Sequence, residues 1–95
     1  MLQAVDEGLL ILGESVRQAI YFHIERNFQV KREQIHERIE DFHRALEGLL
    51  GGGTRVIEKL IAKKLYTRLS LNFEEHRDWT LIDYVNHAKK SLKGG

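Results

Sequence analysis

FHRALEGLLGGGTRVIEKLIAKKL, residues 42–65, decides the fold. Two apolar rows of helical spacing meet at a run of glycines. Before the run, Ile35, Ile39, Phe42, Leu46 and Leu49 recur at intervals of four and three, which places them on one side of a helix. After it, Val56, Ile57, Leu60, Ile61, Leu65 and Leu69 do the same. Gly51, Gly52 and Gly53 suit the end of a helix, where a left-handed residue without a Cβ carries no strain. Thr54 is expected to cap the helix that follows.

Working outward, the same spacing predicts two more helices. The first runs from about Glu7 to Asn27, with Asp6 as N-cap. Its apolar stripe is Leu9, Leu12, Val16, Ala19, Ile20, His23 and Phe28, widened by Leu10, Tyr21, Phe22 and Ile24. A helix this apolar runs through the middle of a bundle or meets a second chain. The second covers about Glu40–Leu50, its start left open between Arg32 and Glu40; the third covers about Arg55–Leu69. The fourth spans about Leu81–Leu92, opened by a capping box at Thr80–Asp83, with Ile82, Val85, Ala88 and Leu92 as its stripe. Asn72–Trp79 is the one segment free to be extended, anchored by Phe73 and Trp79. Proline, the strongest helix breaker, is absent. The expectation is a single all-α domain, a compact four-helix bundle with short loops, its core at about residues 7–92 and residues 93–95 frayed.

Composition removes several functions. Fifteen basic residues face fourteen acidic ones, a balance that argues against a nucleic-acid coat or a polybasic membrane anchor. Without cysteine there is no disulfide, no thiolate catalysis and no sulfur-ligated metal, and the cytoplasm is the expected address. Apolar runs such as Leu9–Leu12 fall far short of the ~20 residues needed to cross a bilayer. The acidic start, Asp6-Glu7, is unlike a signal peptide.

Three surface motifs invite chemistry. His36, Glu40, His43 and Glu47 stack at helical spacing, and imidazole with carboxylate suits a transition metal. This row lies about 100° from the apolar side of its helix, and the second Glu-x-x-His of a di-iron bundle is missing. A solvated face with a Glu40–Arg44 pair is the alternative, so His36, Glu40 and His43 stand as metal candidates only. Gly48–Thr54 has the outline of a phosphate loop, but Thr54-Arg55 replaces the required Lys-Ser/Thr and the loop follows a helix. An anion held at the start of the third helix beside Arg55 is the milder reading, and an ordinary turn the plainer one. The same helix–turn–helix outline allows a DNA-reading helix, with Arg55, Lys59 and Lys63 on an outer face shared with Ala62 and Tyr66. His23, on the first stripe, is expected to be a core histidine bonded to a backbone carbonyl; a pH switch is the alternative. Lys89, Lys90 and Lys93 complement the dipole of the last helix. No nucleophile elbow and no dinucleotide fingerprint is present, so no enzyme and no cofactor is indicated.

Taken together, Ser15–Glu25, Phe42-x-x-Ala45-Leu46, Gly51–Gly53, Ile57-Glu58-x-Leu60-Ile61, Leu65-Tyr66 and Thr80–Val85 resemble a small archaeal family of all-helical domains of uncharacterised function. Its members occur alone or as the output domain of response regulators. The likeness covers roughly residues 9–90, mostly core positions, and the family brings no catalytic residues with it. Members often break with proline after the position of Ile35, where this chain has His36-Glu37. The resemblance implies an all-α fold and a regulatory role. The expected function is a non-enzymatic, regulatory protein–protein interaction domain. A homodimer would bury Leu2, Val5, Leu10 and Ile11. The alternatives are a DNA-binding output domain through Arg55, Lys59 and Lys63, and a metal-binding helical domain.

Overall fold

A computed structural model describes residues 1–93; the Gly94-Gly95 end of the tail expected to fray lies outside the described residues. The chain folds as an all-α bundle, without a strand among the described residues. Its helices are α1 (Leu2–Leu10), α2 (Glu14–Phe28), α3 (Ile39–Leu50), α4 (Thr54–Arg68) and α5 (Leu81–Lys93). Short 3-10 turns at Arg32–Gln34 and Gly51–Gly53 precede α3 and α4. The expected first helix is thus two. The chain turns through Gly13, whose φ of 102° is closed to most side chains. Leu12 and Gly13 donate their N–H groups back to Leu9 and Leu10, closing α1 in a tight turn. Asp6 is not a cap; it lies inside α1.

The break sets the packing. Freed from α2, α1 lies along α4 with Gly8 at the contact: a Cβ at this position would stand 2.5 Å from Ile61 Cγ1 and 3.2 Å from the Ile61 Cα. Such a close backbone approach needs glycine. Around this contact Val5, Leu9, Ile24, Phe42, Leu46, Ile61 and Leu81 are fully or almost fully buried. α4 is the central helix, touching α1, α3 and α5. It buries Ile57, Glu58, Ile61, Ala62, Leu65 and Tyr66, so Val56 points to solvent instead of inward, and Ala62 and Tyr66 leave the expected outer face. Leu92 on α5 and Leu49 on α3 are likewise exposed; Leu81 and Tyr84 take the inner positions on α5.

Polar side chains fasten the joints. Asp6 of α1 accepts hydrogen bonds from Tyr21 of α2 and from Arg32 of the 3-10 turn, and Arg17 approaches to 3.6 Å. Arg38 donates to the Gln29 carbonyl at 3.0 Å and to Asp41 at 2.8 Å, tying the open carbonyls that end α2 to the first turn of α3. Thr54 is the first residue of α4, not its N-cap; its hydroxyl donates to the Leu46 carbonyl at 3.0 Å. The capping box on α5 is present in part: the Asp83 carboxylate accepts the Thr80 N–H at 2.9 Å. Between α4 and α5, the segment 71–80 forms neither helix nor strand, and Phe73 and Trp79 pin it to Tyr66 and Tyr84 by ring contacts.

Candidate functional site

The surface feature that departs most from an ordinary polar exterior is on α2 and α3. The buried stripe of α2 is narrow: Ile20 and Ile24 are buried, and Tyr21 and Phe28 are half-buried. Because α2 starts afresh after Gly13, the other apolar residues of the expected stripe turn outward. Val16 and Ala19 are exposed, and Phe22 is 63% exposed with the Arg26 guanidinium 5.9 Å over its ring. A groove of about 330 Å³ runs between the two helices, lined by Ser15, Val16, Ala19, Ile20, Leu49 and Leu50. Leu10, the last residue of α1, and Ile11, in the turn that leads into α2, are 48% and 57% exposed.

Of the four residues expected at an interface, the structure exposes Leu10 and Ile11, half-buries Leu2, and buries Val5 completely. Val5 belongs to the core of its own chain and leaves the candidate surface. Periodicity did not separate these residues, because an inner and an outer face of a short apolar helix carry the same residue types.

The histidine row is taken apart. His36 lies in the turn before α3, not on the helix, and its ring sits 3.5 Å from the exposed Glu37. Glu40 is exposed in the first turn of α3. His43 bridges two carboxylates: its Nδ1 is 2.6 Å from a buried Glu58 oxygen, and its Nε2 is 3.2 Å from Glu47, the one member of the row it keeps. His36, Glu40 and His43 are therefore not brought together. Among the described residues no group of three or more His, Cys, Asp or Glu side chains could hold a metal ion.

Glu58 is the polar residue that sequence reading missed. It is 1% exposed and also accepts the Leu81 N–H at 3.2 Å, capping α5 from within the core. Burial pushes its carboxyl above the ordinary glutamate value, while the bonds from His43 and Leu81 pull the other way. The signal was its spacing. Glu58, Ile61, Ala62 and Leu65 form one i, i+3, i+4, i+7 row. His23, expected in the core, is half-buried, with Asn27 Nδ2 2.9 Å from its Nδ1 in place of a carbonyl.

On α4 the three candidate DNA-contacting residues sit along one edge. Arg55 donates to the Arg77 carbonyl at 3.1 Å, and Lys59 pairs with Glu75 at 3.3 Å, so the 71–80 segment engages both. Lys63 is exposed, with Lys64 beside it. Among the described residues, no helix is long and apolar enough to cross a membrane. No protein-family model, curated protein or solved structure matches the chain.

Proposed function

We propose that this chain is a non-enzymatic, regulatory protein-interaction domain of the cytoplasm that works through the apolar face of α2 and α3, with a second copy of the chain as its partner. The groove lined by Val16, Ala19, Ile20, Leu49 and Leu50 carries the reading. Contiguous apolar surface of this kind marks contact sites, and a groove between two helices takes the apolar stripe of a third. α2 itself presents such a stripe in Val16, Ala19 and Phe22. One copy's α2 therefore suits the other's groove, the self-complementary arrangement of a two-fold dimer. Buried polar groups support a structural rather than a reactive chemistry. Glu58 caps α5, the Tyr66 hydroxyl donates to the Tyr84 carbonyl at 2.7 Å, and Thr54 binds the Leu46 carbonyl. The regulatory part rests on the resemblance to response-regulator output domains, and the cytoplasmic part on the lack of cysteine.

Sedimentation velocity across micromolar to millimolar protein tests the reading. The wild type is expected to self-associate, and Val16→Glu and Leu49→Glu to remain monomeric with unchanged circular dichroism, since both sites are exposed. A wild type that stays monomeric at the highest concentration, or variants that associate as it does, would overturn the proposal.

A further inference from the structure

Trp79 is the only tryptophan in the chain, and among the described residues His76 is the one ring stacked parallel to its indole. His76 lies parallel to it at 3.7 Å and 13°. The other neighbouring rings meet it at steep angles, Tyr84 at 69° and His87 at 56°. The assembly is held firmly. The Tyr84 hydroxyl accepts the His76 N–H at 2.9 Å and donates to the His76 carbonyl at 3.2 Å, and Trp79 N–H closes a turn onto the same carbonyl.

This ring cluster borders a cavity of about 330 Å³, whose lining includes Tyr66, Asn72, Glu74, Trp79, His87 and Ser91. The volume is at the lower end of the ~300–1,000 Å³ of small-molecule sites and admits a ligand of one or two rings. Hydrogen bonds in this region join Tyr84 to His76, Tyr66 to Tyr84 and Asp83 to Thr80. Among the described residues they leave the side chains of Asn72, Glu74 and Ser91 without a partner. The cavity thus pairs flat, pre-arranged ring walls with a carboxylate, an amide and a hydroxyl.

We infer that this pocket binds a planar nitrogen heterocycle of the nucleobase class, stacked against the Trp79 cluster and presenting a donor edge to Glu74. Stacking is tolerant of ring identity, so the rim sets the preference. A carboxylate only accepts hydrogen bonds and matches two adjacent N–H donors, as on the guanine edge. Adenine offers an acceptor beside its donor. A small organic cation is the competing ligand for aromatic walls with one carboxylate.

The single indole makes the test direct. The full chain, labelled with ¹⁵N, is titrated with guanosine, adenosine and tetramethylammonium while the one indole N–H resonance is followed. Guanosine is expected to shift it saturably at millimolar concentration or below, more tightly than adenosine. Glu74→Gln, an exposed substitution, should weaken guanosine by about tenfold, as expected for loss of one bidentate pair, and leave adenosine little changed. No saturable shift with either nucleoside overturns the inference. So does equal weakening of both by Glu74→Gln, or a saturable response to tetramethylammonium alone.

Discussion

His43 on α3 and Glu58 on α4 meet at 2.6 Å, and the same Glu58 carboxylate reaches past His43 to accept the first N–H of α5. One side chain therefore joins three helices from inside the core. A buried carboxylate with its partners removed, or partners left without their carboxylate, is costly. Glu58→Ala is expected to lower stability by about 3 kcal/mol, the lower end for a broken buried pair. Glu58→Gln keeps an acceptor for Leu81 and a donor toward His43 and should lose much less. Because burial raises the Glu58 carboxyl, the fold favours its protonated form. Its contribution is complete below the ordinary value of 4.5 and declines as pH rises through the raised folded value. Urea unfolding of wild type and Glu58→Gln should show the difference moving in favour of the glutamine as pH rises from about 4 to neutrality. A pH-independent difference would remove the charge argument.

Two glycines inside helices should respond to alanine with opposite signs. On α3, a methyl group at Gly48 would meet nothing within 4 Å, so Gly48→Ala should stabilise the chain by about 0.5–1 kcal/mol through helix propensity. Gly8 gains the same propensity, but its new methyl would press on the backbone and side chain of Ile61. Overpacking of that kind costs about 1–3 kcal/mol, so Gly8→Ala should be net destabilising. Thermal or urea unfolding of the pair decides it. A stabilised Gly8→Ala would mean that α1 can move off α4 at little cost.

The bundle was legible where apolar spacing and chain breaks agreed. Phe42 and Leu46 before Gly51, and Ile57, Ile61 and Leu65 after it, are core residues in the positions their spacing assigns. The break at Gly13 was not legible, since one glycine costs a helix only ~1 kcal/mol relative to alanine and the row Leu9, Leu12, Val16 runs straight across it. Spacing that ignores the break places Val16 and Ala19 inward, and the exposed groove they line does not follow from it. Glu58 was hidden for another reason. Its burial depends on His43, fifteen residues away, and on the start of α5, twenty-three residues on. Spacing along α4 puts Glu58 in the buried row with Ile61, Ala62 and Leu65, but it contains neither partner. At Trp79, sequence reading anticipated an anchor, but ring orientation in an irregular segment is set by tertiary contacts alone.

The left-handed residue that closes α2 offers a stabilising change. Gln29 has φ 56° and ψ 36°, and its N–H bonds to the Glu25 carbonyl at 3.0 Å. That conformation costs a residue with a side chain about 1–2 kcal/mol, and glycine nothing. Part of the gain is returned through the freer unfolded chain. Gln29→Gly is expected to raise stability by about 0.5–1 kcal/mol, with the Arg38 bond to the residue 29 carbonyl retained. An unchanged or lower urea midpoint would show that the Gln29 side chain contributes more than its backbone costs.

Acid should loosen the chain at Asp6. The Arg32 guanidinium bonded to it, helped by the Tyr21 hydroxyl and the charge of Arg17, holds its carboxyl below the ordinary value of 3.8 against the opposing effect of burial. A carboxylate with a depressed folded-state pKa contributes its stability in full above the unfolded value and loses it as pH falls through the folded one. Because Asp6 links α1 to α2 and to the turn before α3, this loss falls on the joints beside Gly13. Asp6→Asn should therefore be less stable than wild type at neutral pH, with the gap narrowing as pH drops below 3.8. Urea unfolding of the two proteins across that range measures it. Parallel curves, with the gap constant down to the lowest pH, would show that the Asp6 charge adds nothing beyond its hydrogen bonds.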